Sequence, residues 1–373
     1  MKIFFLFSDF AKMGGVERTL TDKANYLSIN GNDVTIVTYE QGEHPYAYPL
    51  SEKVKTIDLN CRYFTIYKYH FIRRELEKWK IKRKFKEALH NLIDKKQPDI
   101  LVVTTYTHEY MKEIMSLRPK VKVVVESHVA ASQETFKGKW YTAIRRMNYM
   151  RILKNCDLLI SLTKGDADYW RQYFPHVTTV SNPVSFYCDN PQVIDKVPNR
   201  IIAVGRLHPQ KRFDRLIDAF SLIADKYPQW HLIIYGKGIF EEKLKVQISQ
   251  LGLEGRVKLQ QPVSNIVDEY CKSQFLILSS DYEGFPLVLL EAMACGLPIV
   301  SVNCPYGPAE IIKNGENGLL SEINIDNLAE KIEWMIVHES ERIKMGIVAH
   351  KAVMCYDKRN IMPLWENAYL SVK

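Results

Sequence analysis

Short apolar runs recur along the whole chain and constrain what it can fold into. In the first half they occupy residues 2–7, 33–38, 99–104, 121–126 and 157–162. Each run is rich in Val, Ile, Leu or Phe without regular polar alternation, which is typical of strands buried on both faces of a parallel sheet. Helical stretches lie between the runs. The sequence therefore predicts an α/β fold with a doubly wound parallel sheet.

The same pattern restarts after an irregular, proline-spaced segment at 182–199, which is typical of a linker. Further strands are predicted at 200–205, 230–235, 257–260, 275–278 and 298–302. A chain of 373 residues suits two domains. We therefore predict an N-terminal domain over 1–183, a C-terminal domain over 184–360, and a last helix within 361–373 that has room to cross back to the first domain.

Composition and charge narrow the classes of function. The seven cysteines show no CxxC spacing, which favours a reduced, cytoplasmic setting. No apolar run reaches the length of about 18 residues that a spanning helix needs. The formal net charge of +8 is a modest indication of an anionic partner. Because no zinc-finger or RNA-binding pattern accompanies that charge, nucleic acid is not expected.

One basic segment, 73–86, stands apart. It begins at Arg73, ends at Lys86, and holds eight basic and two acidic residues, with Trp79, Ile81 and Phe85 interleaved. One interpretation is a solvated helix face. The other is an interfacial helix on anionic lipid, which would make the protein peripheral on the inner face of the cytoplasmic membrane. Trp79 and Ile81 would lie on different faces of that helix.

The stretch 279–296 combines the end of a buried strand, a polar turn and the start of a helix. Pro286 suits the first position of that helix, and Gly296 ends it. The free N–H groups of a helix start attract anions. Glu283 before the helix and Glu291 inside it are better suited to hydroxyl groups. A sugar that carries phosphate would satisfy both features.

A cationic loop at 205–211 follows the first strand of the second domain. Arg206 and Lys211 bracket its turn, and a guanidinium and an ammonium at the carboxyl end of a strand suit a diphosphate. Two fixed cations would also neutralise a departing nucleoside diphosphate without a metal ion. Ordinary surface charges are the alternative interpretation.

Other strand ends offer weaker candidates. Gly14 and Gly15 would let the backbone approach a ligand closely, although the dinucleotide pattern GxGxxG is absent. Gly236 lies in a similar turn, and Val263 could border a base. His128 follows a strand where ligands bind in such sheets, and a hydrogen-bonded core histidine is the alternative.

Two aspartates, Asp166 and Asp168, resemble a metal-binding DxD motif. They lie at a helix start, where aspartate is favoured for capping and for its interaction with the helix dipole. No metal site is therefore expected.

Several of these motifs together resemble the signature of family 4 glycosyltransferases. They are GGVER at 14–18, the Arg206 and Lys211 pair, EGFP at 283–286 with Glu291, the run 292–300, and NGENGLL at 314–320. They occur in the family's order over most of the chain. The resemblance implies a GT-B fold, in which two Rossmann-like domains face a cleft. It also implies transfer from a nucleotide-activated sugar with retention of configuration and no required metal or other cofactor.

The resemblance also implies a role for each matching residue. Arg206 and Lys211 would hold the donor diphosphate, Glu291 the ribose, and Glu283 the hydroxyl groups of the donor sugar. His128 would reach the sugar from the other domain, and the departing phosphate oxygen would help to deprotonate the acceptor. Backbone groups would contact phosphate or sugar at Gly15 and along Gly284, Phe285, Pro286 and Leu287, where proline itself has no N–H to donate.

The region 304–310 resembles family members that build bacterial surface polysaccharides, such as capsule and lipopolysaccharide, and lipid-linked oligosaccharides. We therefore expect a UDP-sugar donor and a glycan or lipid-linked acceptor. Two alternatives stay open, namely a GT-B phosphorylase or epimerase, and a protein that binds sugar nucleotides without transferring the sugar.

Overall fold

The chain folds into two compact units. The computed structural model describes residues 1–131, 140–188, 196–263 and 265–372. One unit comprises Met1–Ser181 together with Ile361–Lys373, and the other comprises Asn182–Asn360. The middle of the predicted linker, 189–195, lies outside the described residues.

A seven-stranded parallel sheet forms the centre of the first unit, with the strand order β3-β2-β1-β4-β5-β6-β7. Every residue of β4 is buried, as expected for a strand covered on both faces. The strands are β1 (Lys2–Phe7), β2 (Asp33–Thr38), β3 (Lys55–Asp58), β4 (Ile100–Thr104), β5 (Lys122–Ser127), β6 (Leu158–Ser161) and β7 (Val177–Thr179).

Helices connect these strands. The longest, α2, buries Phe85, Leu89 and Ile93, which recur every four residues and so form one face against the core. The helices are α1 (Gly15–Ile29), α2 (Phe71–Lys96), α3 (Met111–Met115), α4 (Trp140–Leu153) and α5 (Lys164–Arg171).

The second unit contains a six-stranded parallel sheet with the order β10-β9-β8-β11-β12-β13. Its strands are β8 (Arg200–Val204), β9 (His231–Tyr235), β10 (Val257–Gln260), β11 (Phe275–Leu278), β12 (Ile299–Val302) and β13 (Gly318–Ser321). Its helices are α6 (Phe213–Ala224), α7 (Glu241–Gln250), α8 (Ile266–Cys271), α9 (Leu287–Ala294), α10 (Pro308–Ile311), α11 (Ile325–Val337) and α12 (Glu339–Ala352).

The predicted class, two doubly wound parallel-sheet domains, is confirmed by these two sheets. Three short strands, β3, β7 and β13, were not predicted from the sequence. All three lie at sheet edges. The strands β3 and β7 are not buried, so neither carries an apolar run. The apolar part of β13 is only Leu319 and Leu320, too short to be distinguished from a loop.

The last helix, α13 (Lys358–Leu370), belongs to the first unit from Ile361 onward. Its Trp365 Nε1 donates a hydrogen bond to the Ser181 carbonyl oxygen at 3.0 Å. Its Glu366 Oε1 accepts one from Asn32 Nδ2 at 2.8 Å. These bonds attach the end of the chain to structure that is formed much earlier in the sequence.

A buried charged network lies beneath α13. The side chains of Lys23 on α1 and Glu126 on β5 are both 0 % exposed, and Lys23 donates to Glu126 Oε2. The Tyr369 hydroxyl on α13 donates to Oε1 of the same carboxylate. The Lys23 ammonium also lies 3.6 Å from the centre of the Trp365 ring. Removing one partner of such a pair would leave an uncompensated buried charge, which costs roughly 3–5 kcal/mol.

The network shifts the ionisation of its members. Burial alone would raise the pKa of Glu126, but the Lys23 ammonium and the bond from His128 outweigh burial and lower that pKa to about 2. Burial lowers the pKa of Lys23, although Glu126 partly opposes this. The carboxylate is therefore ionised in the folded protein far below the pH at which it protonates in the unfolded chain.

This shift predicts a contribution to stability at acidic pH. The folded-state pKa of about 2 lies below the ordinary value of 4.5. The stabilisation is therefore present above pH 4.5 and is lost as the pH falls toward 2. Between those limits we expect the wild type to lose about 3 kcal/mol more unfolding free energy than the variant Lys23→Met/Glu126→Met/Tyr369→Phe, which lacks the titrating group.

Urea unfolding of both proteins at a series of pH values measures the difference. The variant replaces Lys23, Glu126 and Tyr369 with apolar side chains of similar size and keeps His128, so its core stays filled. Equal pH dependence of the two unfolding free energies would contradict the prediction.

Candidate active site

A lysine–glutamate pair joins two loops of the second unit. Lys211 Nζ lies 2.6 Å from Glu283 Oε1, although the two residues are 72 positions apart. Ser280 Oγ donates to the same oxygen at 2.6 Å. The exposed fractions of the Lys211 and Glu283 side chains are 14 % and 9 %, so the pair is largely, but not completely, removed from solvent.

Hydrogen bonds from side chains to backbone carbonyl oxygens hold the two loops together. Gln210 Nε2 donates to the Tyr282 carbonyl oxygen at 2.9 Å. Ser279 Oγ donates to the Lys211 carbonyl oxygen at 2.8 Å. The loops that carry Lys211 and Glu283 follow β8 and β11, which are neighbouring parallel strands. The carboxyl ends of such strands meet at one sheet edge, which is why residues distant in sequence come into contact here.

The backbone of Glu283 is fixed from a third segment. Its N–H donates to the Pro305 carbonyl oxygen at 3.0 Å, and its carbonyl oxygen accepts from the Tyr306 N–H at 3.2 Å. Next to these, a Cβ atom placed on Gly307 would lie only 2.3 Å from Cδ of Pro286. The segment after β12 therefore packs directly on the turn that carries Glu283.

Arg206 lies exposed at the start of the same loop as Lys211. Its guanidinium approaches Gln210 Oε1 at 3.5 Å, and in the described part of the chain it forms no ion pair. Gly236 packs against the backbone just before it, because a Cβ on Gly236 would lie 1.9 Å from the Gly205 carbonyl oxygen. The turn after β9 thus supports the loop that presents the two cations.

Glu291 lies one turn inside α9 and is nearly buried. Its Oε2 accepts a hydrogen bond from the Tyr270 hydroxyl at 3.0 Å. Tyr270 is on α8 and is completely buried, so it orients the carboxylate from the protein side.

The residues between the two glutamates form the start of α9. The sequence predicted Pro286 at the first helical position. In the structure Pro286 is instead the N-cap of α9, with φ −77° and ψ 91°. The helix begins at Leu287, so its early N–H groups are those after the proline. Phe285 is buried, with its ring centre 5.7 Å from that of Tyr356, and Gly284 precedes it in the turn. Gly296, with φ +68°, follows the end of α9 as predicted.

Val263 is exposed in the loop after β10. Its predicted place beside a base stays a prediction.

The remaining candidates belong to the first unit. Gly14 is the N-cap of α1, and Gly15 is its first residue. A Cβ on Gly14 would lie 2.1 Å from Oε2 of Glu17, so this turn is crowded by its own helix. His128 follows β5 directly, and its Nε2 lies 2.8 Å from Glu126 Oε2. Burial lowers the pKa of His128, although Glu126 opposes this shift.

The two aspartates of the DxD pattern have separate structural roles. Asp166 is buried and accepts hydrogen bonds from the Ala131 N–H at 2.6 Å and from Ser161 Oγ at 2.7 Å. Asp168 is exposed and pairs with Arg171 at 2.6 Å. In the described part of the chain, no three His, Cys, Asp or Glu side chains form a group that could hold a metal ion. The described helices also include none that is both long and apolar enough to cross a membrane.

Sequence reasoning missed several residues that hold the site together. Ser279 and Ser280 directly follow a buried strand, so their position could have identified them as candidate site residues. Gln210 lies between the two predicted cations and could have been included for the same reason. The sequence around Tyr270 and Lys23 indicated no role for either residue, because their contacts depend on how α8 and α1 pack.

Two family models match the chain. The model described as "Glycosyltransferase Family 4" matches residues 13–186, and the one described as "Glycosyl transferases group 1" matches residues 189–352. Between them they account for both units.

Relatives of similar length match across the whole chain. An uncharacterized glycosyltransferase of Haemophilus influenzae is 27 % identical over 98 % of this chain and 99 % of its own length. The amylovoran biosynthesis glycosyltransferase AmsD of Erwinia amylovora is 26 % identical over 98 % of this chain and 99 % of its own length. An α-1,4-N-acetyl-D-galactosaminyltransferase of Campylobacter jejuni is 25 % identical over 100 % of this chain and 99 % of its own length. The name of this relative specifies a glycan on PP-undecaprenol.

Solved structures agree in fold. TarM superposes with a TM-score of 0.81 at 16 % identity, covering 99 % of each chain. HepE of Anabaena, in complex with UDP and glucose, superposes with a TM-score of 0.75 at 20 % identity, covering 100 % of each chain. At these identities the structures establish the fold, which is GT-B.

The family models, the relatives and the fold agree with the motifs at 14–18, 206–211 and 283–291. The chain belongs to the family 4 glycosyltransferases and is a glycosyltransferase.

Proposed function

We propose that this chain is a retaining glycosyltransferase that transfers a sugar from a UDP-sugar to a hydroxyl group of a glycan or lipid-linked acceptor, without a metal ion. The observation that carries this proposal is the arrangement of Arg206, Lys211 and Glu283 at one sheet edge. Two cations suit a diphosphate, and the adjacent carboxylate suits the hydroxyl groups of the sugar attached to it.

The diphosphate binds at Arg206 and Lys211. Arg206 is exposed and forms no ion pair with any described carboxylate. Lys211 is held in place by Glu283 at 2.6 Å. The two cations and one carboxylate leave one net positive charge, so an incoming diphosphate meets a favourable field in a partly desolvated site.

Two carboxylates bind the hydroxyl groups of the donor. Glu283 accepts hydrogen bonds from the transferred sugar, and its position is fixed because both its backbone N–H and its carbonyl oxygen are bonded to the segment after β12. Glu291, oriented by Tyr270, accepts hydrogen bonds from the ribose. The backbone around Gly284, Phe285 and Leu287 contacts the sugar or phosphate.

The reaction breaks the bond between the anomeric carbon and the diphosphate oxygen. The acceptor oxygen forms its bond to the same face of the sugar, which retains the configuration. The proton of the acceptor hydroxyl moves to the departing diphosphate oxygen. Arg206 and Lys211 stabilise the negative charge that develops on that leaving group, which is the contribution that a metal ion makes in other enzymes.

The donor and acceptor classes have support from the related proteins. HepE was solved with UDP and glucose, and the name of the Campylobacter jejuni relative specifies an acceptor on PP-undecaprenol. A UDP-sugar and a glycan or lipid-linked acceptor are therefore the substrates that we propose here.

Replacement of Lys211 tests the proposed site. We expect Lys211→Ala to lower sugar transfer about 100-fold or more, which is the typical cost of removing one group that stabilises a developing negative charge. The measurement is UDP release from a panel of UDP-sugars with PP-undecaprenol-linked glycans as acceptors, with EDTA present throughout.

The matched control is Lys245→Ala. Lys245 belongs to the same unit and also pairs with a carboxylate, Glu242 at 2.7 Å, but this pair is on the exposed surface of α7. Its transfer rate should stay within twofold of wild type. Near-wild-type transfer by Lys211→Ala would refute the site, binding of UDP-sugars without turnover would refute the transfer, and a strict need for Mn²⁺ would refute the metal-free reaction.

We also propose that α2 binds an anionic membrane. The apolar residues of the basic segment separate in the structure, because Phe85 is buried and Ile81 packs on the core, whereas Trp79 is 62 % exposed. The exposed apolar side chains at the start of α2 lie within about 140° of its circumference, at about 100° per residue. We call this the α2 surface, and it consists of Phe71, Ile72, Leu76 and Trp79.

Basic side chains flank the α2 surface. Arg73, Lys80 and Lys86 are exposed, and Arg83 lies with its guanidinium 5.7 Å from the centre of the Trp79 ring. Apolar side chains bordered by positive charge are complementary to the headgroups and upper acyl region of an anionic bilayer. On this proposal the protein is peripheral at the inner face of the cytoplasmic membrane.

Vesicle binding tests the α2 surface. Each lysine or arginine near an anionic surface contributes about 1 kcal/mol, so Arg73→Gln/Lys80→Gln/Lys86→Gln should weaken binding to phosphatidylglycerol vesicles about 100-fold. Ile72→Ala/Leu76→Ala should weaken it as well, because both side chains insert. Co-sedimentation with the vesicles is the measurement.

The control for insertion is Leu222→Ala/Ile343→Ala, which truncates two similarly exposed side chains of the second unit. It should bind like the wild type. Equal binding by all four proteins, or equal binding of the wild type to phosphatidylcholine vesicles, would rule out this surface.

A further inference from the structure

The residue directly after Lys211, Arg212, has a left-handed backbone conformation, with φ +48° and ψ +42°. This conformation is unfavourable for residues other than glycine, and it persists only where the surroundings hold it in place. At Arg212 the guanidinium provides those contacts. Its Nε lies 3.1 Å from Asp214 Oδ1, and its Nη1 lies 3.2 Å from both carboxylate oxygens of Asp281.

Two neighbouring cations therefore contact different carboxylates of the opposite loop. Lys211 contacts Glu283, and Arg212 contacts Asp281, two residues earlier. The Asp281 N–H donates to the Gln210 carbonyl oxygen at 2.9 Å, so the Asp281 backbone lies beside the residue that precedes Lys211. Asp281 is thus a further carboxylate at the edge of the proposed diphosphate site.

A second arginine, Arg215 in the first turn of α6, also binds Asp281. Its Nη2 lies 2.6 Å from Asp281 Oδ1, and its Nη1 donates to the Ser279 carbonyl oxygen at 3.1 Å. Only 7 % of the Arg215 side chain is exposed, whereas 38 % of the Asp281 side chain is. A buried guanidinium bonded at two points is a fixed partner, so Asp281 is held by two cations.

These contacts join four charged side chains whose charges cancel. We call them the Arg212 network, and it consists of Arg212, Asp214, Arg215 and Asp281. The proposed diphosphate site beside the network keeps its one net positive charge. Without Arg212 the network would carry one negative charge, which would oppose the binding of an anion at the neighbouring site.

The two loops are already joined without Arg212. Gln210 and Ser279 each donate a hydrogen bond to the backbone of the opposite loop. The contact between Arg215 and the Ser279 carbonyl oxygen holds the second loop to α6. The property that Arg212 adds is therefore its charge, delivered to Asp281, and not the attachment of one loop to the other.

We propose that Arg212 is a positioning residue that acts through Asp281. It keeps the Asp281 carboxylate paired within the Arg212 network, so that Lys211 and the bound diphosphate meet no competing negative charge. The left-handed conformation is retained because it brings the guanidinium to Asp281. This inference rests on the proposed function and adds to it a residue that does not itself contact the donor.

Binding of inorganic pyrophosphate to the full-length protein tests the inference, with EDTA present and calorimetry as the measurement. The variant Arg212→Gly removes the guanidinium, and glycine adopts the left-handed conformation without strain. We expect it to bind pyrophosphate about tenfold more weakly, as for one unit charge roughly 10 Å away at an effective dielectric constant of about 20, reduced by salt. The loss should be smaller at about 0.5 M salt than at about 0.05 M salt.

A second substitution separates charge from attachment. Arg212→Gly/Asp281→Asn restores a network without net charge, although the bond between the two positions is still missing. It should bind pyrophosphate within about twofold of the wild type, and Asp281→Asn alone should bind at least as tightly as the wild type. A purely mechanical role would leave both of these variants as weak as Arg212→Gly. Thermal unfolding checks that each variant is folded at the temperature of the measurement.

The matched control is Arg62→Gly in the first unit. Arg62 also has a left-handed conformation, with φ +50°, and also pairs with an aspartate, Asp58 at 2.9 Å. Its loss should leave the affinity for pyrophosphate unchanged.

Three outcomes would overturn the inference: wild-type affinity in Arg212→Gly, no recovery in the double variant, or an equal loss in the control. A wild type that binds no pyrophosphate would overturn the diphosphate site and this inference together. If the recovery is seen but the wild type transfers sugar from no UDP-sugar, the proposed function fails while the role of Arg212 stands.

Discussion

Parallel pairing of β8 with β11 is the constraint on which the candidate site depends. It places the loop with Arg206 and Lys211 beside the loop with Glu283, so that groups 72 residues apart meet at 2.6 Å. Side-chain bonds from Gln210 and Ser279 to the opposite backbone then lock the two loops to each other. None of these contacts depends on a local sequence motif. Each follows from the order of strands in the sheet, which brings the carboxyl ends of β8 and β11 to one edge.

Both units contain a lysine–glutamate pair, and burial separates their roles. Lys23 and Glu126 are 0 % exposed, whereas Lys211 and Glu283 retain 14 % and 9 %. The first pair is closed to ligands. Removing one of its partners would leave an unpaired buried charge, which costs roughly 3–5 kcal/mol. The second pair is open enough for an anion to compete for the lysine. The same two residue types are therefore closed off in one unit and form part of the proposed binding site in the other.

The sequence predicted the fold because most strands are buried on both faces and so appear as apolar runs. It could not predict β3 and β7, whose half-exposed edge positions require no such run. Lys211 and Glu283 were recognisable because each lies shortly after a strand, but their contact required the strand order. Lys23 was not recognisable, since a lysine within a helix normally faces solvent, and here its ammonium is covered by Glu126 of β5 and Trp365 of α13. The shift of Pro286 to the N-cap has a similar cause, because the segment at Gly307 packs against its ring.

The residues of the proposed site differ in whether they donate or accept hydrogen bonds, and this difference determines which part of the donor each one can bind. Arg206 and Lys211 can only donate, which matches the oxygens of a diphosphate that can only accept. Glu283 and Glu291 can only accept, which matches hydroxyl groups that can donate. In the first unit, the Glu126 carboxylate accepts from Lys23, His128 and Tyr369, so buried protein groups already occupy it. A carboxylate can take part in ligand binding only where its acceptor positions stay accessible, which is what separates Glu283 from Glu126.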